Sequence, residues 1–539
     1  VVQWDKEDCA DMGIIKVDLL GLGMMAVLKD SIELIRDHYH EEVDLAHLPQ
    51  DDSQVYSTLQ QADTVGMFQV ESRAQMSCLP RLRPIRFYDV VVQVAIIRPG
   101  PIVGQMVNPF LQRRQGKEEV TYAHPSLEPV LKRTLGVPLF QEQLLRIAMI
   151  AANFTGGEAE DLRRAMGFKR SQARMREIEA KLRSGMTANG ISPKAQEEII
   201  LSITSFALYG FPESHAASFA LIAYASAYLK CHYLAAFTAA LLNNQPMGFY
   251  SPTTIVKDAQ RHGLKLLPID VTKSDWNCTL ESVPGTRYSV VSDDAVHSSA
   301  LDDRDPATER RQNTAHGASR GITAIGKDQS PEGRKNLSGG EIALRMGLRY
   351  VRGLREEAAK SLLLERTIAP FTSIHNLTRR VPELRKDELT TLAEIGALNS
   401  VASTQLLVPS KTLAIPTPER TRGAEESRYS VPGTRHSLHR RDALWQVERA
   451  VRPAGPLLEQ NAEPDAPSPL APMNHEERLV ADFHGTGLTV GPHPMAYRRA
   501  WLNAMGIRRA IELRDLPTGK RLRIGGCVIT RQRPGTAKG

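Results

Sequence analysis

A lysine and an aspartate two positions apart, Lys16 and Asp18, end a short apolar run near the start of the chain. Residues i and i+2 of a β-strand project from the same face, so the two side chains would lie together while Ile15 and Val17 face a core. A carboxylate beside an ammonium suits a site that handles both a metal ion and a phosphate. An exposed ion pair on an edge strand, which contributes about 0–1 kcal/mol, is the alternative.

The residues that follow must position this pair, and they predict a mostly helical block over about 24–262. Thr155 and Glu158 have the spacing of a capping box, which predicts a helix that continues through Met166. Ser192 followed by Pro193 predicts another helix start, since proline is favoured at the first helical position. The connections between these helical patterns are short.

Composition limits the class of protein. The 539 residues include 68 Lys and Arg against 61 Asp and Glu, and the formal charge of +7 is compatible with a polyanionic partner. The five cysteines are scattered without a Cys-x-x-Cys pair, which disfavours a disulfide framework or a zinc ribbon and favours a cytoplasmic location. The most apolar stretch, 216–242, carries Lys230 and His232 and is interpreted as one buried helix, so we expect no membrane partner.

Several ordered motifs resemble the bacterial C-family DNA polymerases, the polymerase III alpha subunits. The resemblance covers 1–281 almost without a gap and resumes at about 342–400 and 470–539. The motifs are 2–8 (VQWDKED), 16–22 (KVDLLGL), 66–73 (GMFQVESR), 98–101 (RPGP), 141–143 (QEQ), 162–167 (LRRAMG) and 209–215 (YGFPESH).

The resemblance implies specific roles for the first two residues. Asp18 would be a catalytic, metal-binding carboxylate of the palm, and Lys16 would lie against the nucleotide triphosphate. The family uses two Mg²⁺ ions for nucleotidyl transfer, held also by two aspartates spaced Asp-x-Asp further upstream. Because no other carboxylate pair in this chain replaces them, we expect a fragment without the N-terminal PHP domain and most of the palm, inactive on its own.

Two arginines are expected to bind the nucleotide. By resemblance, Arg163 and Arg164 lie on the fingers helix that faces the incoming deoxynucleoside triphosphate. Guanidinium groups suit this role because they bind phosphate oxygens in a bidentate manner. Local pairing of Glu160 with Arg164 at i,i+4, which contributes about 0.2–0.5 kcal/mol, is the alternative.

A second group of nucleotide-binding candidates flanks a turn at the start of a long helix. Tyr209 would stack on a base or sugar, and His215 would donate to a triphosphate oxygen near the helix N-terminus, with Ser214 beside it. The alternative is that Ser214 is a helix cap. Replicative members of the family usually have Asn and Lys where Pro212 and Glu213 stand, so the contact pattern here departs from theirs.

The DNA contacts are expected in two places. Gln69, Arg73 and Arg98 belong to the family motifs and are candidate contacts of the primer-template DNA. Arg352 and Gly353 lie in a stretch that predicts a helix, a glycine hairpin and a second helix, a unit that grips DNA through backbone N–H groups. An ordinary helix turn that ends in glycine is the alternative for the second place.

The predicted fold class is α+β, multidomain and mostly helical. The polar segment 282–340 predicts a disordered insertion, because it lacks the apolar surface needed to offset its ordering entropy. Residues 282–290 recur nearly intact as 430–438, which suggests a repeated DNA element inserted in the gene. The domains are the end of the palm (1–25), the fingers (26–281), the insertion (282–340), a helix-hairpin-helix region (341–400), a linker with the second repeat (401–470), a helical connector (471–519) and the start of an OB-type barrel (520–539).

Three stretches resemble the error-prone, damage-induced branch of the family. They are 3–9, 212–213 and the tail 469–539. Membership of that branch implies translesion synthesis and induced mutagenesis, with the sliding clamp and mutagenesis accessory proteins as partners. A replicative alpha subunit and a non-catalytic DNA-binding protein are the alternatives. No clamp-binding peptide with the aromatic anchor such peptides use is evident in the sequence.

Overall fold

A computed structural model gives the architecture, and contacts between Cα atoms divide the chain into two units. One unit comprises 1–280 and 343–539, and the other comprises 281–342. The second unit is described only at its two ends, in residues of β-strands. The described residues are 4, 6–15, 19–97, 103–167, 172–207, 211–283, 341–401, 438–451, 468–517, 519 and 521–528.

Helices dominate the described residues, which confirms the mostly helical prediction. The helices before the first strand are α1 (Lys6–Asp11), α2 (Leu22–Tyr39), α3 (Ser53–Gln60), α4 (Arg73–Leu82), α5 (Phe87–Ile96), α6 (Val103–Arg114), α7 (Glu128–Leu131), α8 (Gln141–Ala152), α9 (Gly156–Gly167), α10 (Gln172–Ala188), α11 (Pro193–Ala207), α12 (Glu213–His232), α13 (Leu234–Asn243) and α14 (Pro252–Arg261).

Helix α12 is the centre of the first hydrophobic core. Its sequence is rich in alanine, the best helix former, and alanines at several turns let neighbouring helices approach closely. It packs against α2, α3, α5 and α13. Its buried side chains join those of α3, α4 and α5 in one cluster, in which each large apolar side chain contributes about 1.5–3 kcal/mol by its removal from water.

Helices α8 to α11 form a second cluster around Leu144, Leu162, Met186 and Ile203. The predicted helix starts are confirmed here. The backbone N–H of Thr155 donates to the Glu158 carboxylate at 2.8 Å, and α11 begins at Pro193. Local sequence signals were sufficient at both positions because each cap uses residues only a few positions apart.

The prediction of one helix over 216–242 was wrong. The chain leaves the helical conformation at Tyr233, where φ is −132° and ψ is 49°, so α12 ends at His232 and α13 begins at Leu234. The Tyr233 hydroxyl donates to the Glu41 carboxylate at 2.7 Å, and its ring meets Tyr39 edge-on. These contacts with distant residues were not visible in the local sequence.

A small sheet leads into the helix-hairpin-helix region. Its strands are β1 (Leu266–Leu267), β2 (Thr279–Val283) and β3 (Glu341–Arg345), in the order β1-β3-β2, and β1 pairs with β3 in parallel. The following helices are α15 (Glu356–Ile368), α16 (Ile374–Arg380), α17 (Lys386–Glu394) and α18 (Arg440–Ala450). The first helix predicted at the hairpin is only a 3₁₀ turn, Leu348–Tyr350.

The last described elements are α19 (His475–Thr486), α20 (Pro494–Ala504), β4 (Ile507–Arg508) and β5 (Arg523–Ile524). Strand β4 pairs with β5 in parallel. The strand expected at the start of the OB-type barrel is therefore two residues long within the described part of the tail. Most of the predicted insertion 282–340 and of the linker 401–470 lies outside the described residues. None of the described helices combines the length and the apolarity needed to cross a bilayer.

Candidate nucleotide and DNA site

Four of the predicted site residues lie outside the described residues: Lys16, Asp18, Arg98 and Tyr209. Their roles stay predictions. The described site residues fall on five parts of the fold, namely the loop 64–71, the start of α4, the end of α9, the start of α12 and the hairpin before α15.

The loop 64–71 is held in a fixed shape by its own and neighbouring side chains. The hydroxyl of Thr64 donates to the Val70 carbonyl at 2.8 Å. The Phe68 backbone N–H donates at 3.1 Å to the hydroxyl of Ser226, a fully buried residue of α12. Gln69 has a φ of 64°, in the left-handed region that non-glycine residues rarely adopt. The loop thus holds Gln69, a predicted DNA contact, in an uncommon backbone conformation.

The buried side chain of Glu71 fixes this loop through a hydrogen bond. Its carboxylate accepts the Gly66 N–H at 2.9 Å, and burial raises the pKa of Glu71 to about 7 against the opposing effect of the N–H groups of Gly66 and Phe249. The Tyr250 hydroxyl donates to the Glu71 carbonyl at 3.2 Å. Glu71 therefore anchors the loop and titrates near neutral pH.

Successive contacts between aromatic rings join the loop 64–71 to the start of α12. The centroids of His215 and Phe219 are 4.3 Å apart, and those of Phe219 and Phe68 are 5.4 Å apart. Gly21, with a φ of 92°, lies so close to Phe68 that a Cβ there would be 3.2 Å from its ring. The structure therefore brings His215 near the loop that carries Gln69 and near the segment that follows Asp18 in the sequence.

The start of α12 is capped by another helix. Pro212 is the N-cap residue and supplies no side-chain cap, so the alternative interpretation of Ser214 as the cap was wrong. Ser214 is exposed. The first helical N–H, that of Glu213, donates to the Glu142 carboxylate at 2.9 Å. An internal anion therefore takes one of the N–H groups that a phosphate would use at this helix end.

Glu213, the residue that departs from the replicative pattern, faces a cleft beside α12. The Tyr88 hydroxyl donates to its carboxylate at 2.9 Å, and Arg133 lies 3.9 Å from the same carboxylate. The Arg133 guanidinium also covers the Tyr88 ring at 3.8 Å from the centroid. Burial and the neighbouring Glu213 charge raise the pKa of Tyr88 above its usual value. The Glu213 carboxylate thus has protein partners on this side.

The two predicted nucleotide-binding arginines both meet Glu160. Arg163 binds its carboxylate through two hydrogen bonds of 2.8 and 2.7 Å, and Arg164 approaches at 3.4 Å. The hydrogen bond from Arg163 lowers the pKa of Glu160 to about 2. The local pairing considered as the alternative is present, yet Arg163 and Arg164 remain 46% and 66% exposed. Both guanidinium groups can therefore still reach a ligand from solvent.

The hairpin residues have competing protein contacts. The Arg352 N–H donates to the Gly485 carbonyl at 2.7 Å, and the Arg352 guanidinium donates to the His484 carbonyl at 3.3 Å. Gly353 is exposed, has a φ of 80° and has open space where a Cβ would lie. One hairpin N–H is therefore used inside the protein, while Gly353 and the exposed Arg73 at the start of α4 face solvent.

A partly buried cluster not predicted from the sequence has the composition of a metal site. The ligand atoms of Asp63, Asp258 and His262 lie within 4.8 Å of one another. The Lys230 ammonium, however, lies 2.8 Å from Asp258 and 3.8 Å from Asp63. It also donates to the Val65 carbonyl at 2.9 Å. Because the Lys230 ammonium already pairs with both carboxylates and the His262 ring pairs with Asp63, the cluster does not fit a divalent ion and acts as a structural ion network.

Sequence reasoning did not assign a role to Tyr88, Arg133 or Glu142. Glu142 lies within a motif that carries the family resemblance, which was a usable signal. Tyr88 and Arg133 gave no such signal, because Tyr88 and Glu213 are 125 positions apart in the chain.

Two family models match the chain. Residues 24–190 match the finger domain of the bacterial DNA polymerase III alpha subunit. Residues 263–406 match the helix-hairpin-helix motif. The second match starts in the sheet region, well before the hairpin at Gly353.

Curated proteins named error-prone DNA polymerase match all of the chain. One from Anaeromyxobacter sp. (strain K) is 42% identical over 549 residues, which are 100% of this chain and 41% of that protein. One from Pseudomonas fluorescens (strain Pf-5) is 40% identical over 540 residues, with 44% of that protein covered. One from Methylococcus capsulatus is 40% identical over 539 residues, again with 44% covered. The chain thus spans less than half the length of these relatives.

Proposed function

This chain belongs to the error-prone branch of the bacterial C-family DNA polymerases, and from that premise we propose that it supplies the fingers and the helix-hairpin-helix region of a DNA-directed DNA polymerase. The single observation that carries the proposal is the match of the whole chain to proteins named error-prone DNA polymerase. The substrates would be primer-template DNA and deoxynucleoside triphosphates.

The arrangement of the described residues supports a nucleotide site beside α12. His215 and the loop that carries Gln69 are linked through Phe219 and Phe68. The exposed guanidinium groups of Arg163 and Arg164 suit the triphosphate, since an arginine binds phosphate oxygens in a bidentate manner. Ser214 is exposed one position before His215.

Asp18 would hold Mg²⁺ in this scheme, and Lys16 and Tyr209 would contact the nucleotide. Two metal ions would activate the primer 3′ oxygen and neutralise the charge that develops on the phosphates. Arg73, Arg98, Arg352 and Gly353 would contact the DNA backbone, which positions the duplex without reading its sequence.

The biological role that we propose is translesion synthesis after DNA damage. The names of the relatives support the error-prone character, and Pro212-Glu213 sets the chain apart from the replicative pattern. The sliding clamp and mutagenesis accessory proteins would be partners in the cytoplasm.

A chimera tests the proposal. The part of the Anaeromyxobacter relative that precedes the matched region is joined before Val1, and primer extension and DNA affinity are measured. We expect extension by the chimera, and a loss of about 10³-fold or more when Asp18→Ala removes a metal ligand, with DNA affinity nearly unchanged.

Asp11→Ala is the matched control, because Asp11 is an exposed carboxylate at the end of α1. Its replacement should leave extension unchanged. Retained synthesis in Asp18→Ala would contradict the catalytic assignment.

A further inference from the structure

The cleft beside Glu213 has the features of a second binding site, next to the proposed nucleotide site. Its volume of about 690 Å³ falls within the range of small-molecule pockets, about 300–1,000 Å³. Phe87, Val91 and Ala217 supply apolar surface, and Tyr88 supplies an aromatic ring. Such surfaces attract flat, weakly solvated groups.

The charges that line the cleft are balanced. Arg86 and Arg133 contribute two positive charges, and Asp51 and Glu213 contribute two negative charges. Arg133 lies 3.9 Å from Glu213. A free phosphate would meet as much repulsion as attraction here, so the cleft favours a neutral ligand with a polar edge.

Arg133 and Tyr88 form a surface in the cleft on which a planar ligand can stack. The Arg133 guanidinium carbon lies over the Tyr88 ring, 3.8 Å from its centroid, and 65% of the Arg133 side chain remains exposed. A planar ligand can therefore stack on the outer face of the guanidinium. Gln50 and Glu213 at the cleft wall offer hydrogen-bond groups to the ligand edge.

We propose that this cleft binds an unpaired nucleobase. The proposal rests on the proposed polymerase function, because Glu213 directly precedes Ser214 and His215 at the start of α12. A base in the cleft would lie next to the nucleotide site without occupying it. The base can come from the single-stranded part of the template or from a free nucleotide, and both sources present the same ring and edge.

The test measures binding to the 539-residue chain itself. The probes are a short fluorescent thymidine oligonucleotide and an abasic oligonucleotide of the same length, so that the phosphates are equal and only the bases differ. We expect the base-containing strand to bind about tenfold more tightly, the size of effect expected from stacking of a base.

Arg133→Ala removes the stacking surface, and we expect it to reduce the preference to about twofold or less. Lys132→Ala is the matched control: Lys132 is 73% exposed, pairs with Glu128 at 3.4 Å and carries the same charge one position away. The control should weaken both strands equally and keep the preference. Thermal melting verifies that both variants are folded.

Competition with thymidine triphosphate identifies the source of the base. Displacement of the strand by the nucleotide assigns the cleft to a free nucleotide, and resistance to displacement assigns it to the template strand. Equal affinity for the two strands, or a preference that survives Arg133→Ala, would overturn the cleft proposal while leaving the polymerase proposal intact. Absence of any DNA binding would count against both.

Discussion

Helix α12 carries ionisable side chains at both ends, and their surroundings differ. At its C-terminal end, Lys230 and Asp258 are 5% and 8% exposed and form a 2.8 Å ion pair. At its N-terminal end, Glu213 is 31% exposed and shares its carboxylate with Arg133, which is 65% exposed. One end is closed around its charges, and the other end opens onto a cleft.

This difference in exposure suggests that the charges at one end of α12 stabilise the fold and that those at the other end can take part in binding. A buried charge must have its partners in place, because its removal from water costs several kcal/mol, roughly, unless it is neutralised. A partly exposed charge loses little when its partner moves, so it can change partners when a ligand arrives. We therefore assign the C-terminal end of α12 to the integrity of the fold, and the proposed ligand sites concern its N-terminal end.

The largest effect on stability is expected at the closed end. Lys230→Met leaves the buried Asp258 carboxylate without the ammonium group 2.8 Å away, and we expect the free energy of unfolding in urea to fall by about 3–5 kcal/mol. Lys29→Met is the matched control, since Lys29 is 75% exposed in its pair with Glu33, and it should cost less than about 1 kcal/mol.

A double variant, Lys230→Met with Asp258→Leu, sharpens this assignment. It removes both charges, so most of the lost stability should return. Equal losses in Lys230→Met and Lys29→Met would contradict the assignment of Lys230 to the integrity of the fold.

The second-largest effect on stability is expected at Glu71, which anchors the loop that carries Gln69. Its pKa is about 7 in the folded chain and 4.5 in the reference state, because burial disfavours the charged form. The stability that the neutral carboxyl contributes is complete below the unfolded pKa and is lost as the pH rises through the folded pKa. Glu71→Gln removes this titration, so the variant should gain about 1–3 kcal/mol relative to the parent between about pH 5 and pH 8.

The measurement is urea unfolding of both proteins at the two pH values. Glu42→Gln is the control, because the hydrogen bond from Arg36 lowers the pKa of the exposed Glu42, away from this pH range. The difference between that variant and the parent should not change with pH. A pH-independent difference for Glu71→Gln would contradict the assignment.

What the sequence could predict depends on the distance along the chain over which each contact acts. The cap formed by Thr155 and Glu158 involves neighbours, and it was predicted correctly. The break at Tyr233 coincides with its hydrogen bond to Glu41, 192 positions away, and the sequence predicted a continuous helix there.

For the candidate site too, the sequence identified residues within motifs but not contacts between distant helices. The family motifs identified His215 and Gln69, and the structure links their surroundings through Phe219 and Phe68. The sequence did not predict that Glu142 would cap α12, because residue spacing within one helix does not show which other helix supplies an anion.

The smallest effect on stability is expected at Arg163. Because its pair with Glu160 is exposed, Arg163→Ala should change the free energy of unfolding by less than about 1 kcal/mol. In the chimera, however, loss of a triphosphate contact should raise the KM for the nucleotide by about tenfold or more. Arg183→Ala is the matched control, since Arg183 is 40% exposed and pairs with Glu179 at i,i+4 on the neighbouring α10. A similar small loss of stability in both variants, with a KM change only in Arg163→Ala, would separate ligand binding from local pairing; equal KM values would return Arg163 to the role of a surface ion pair.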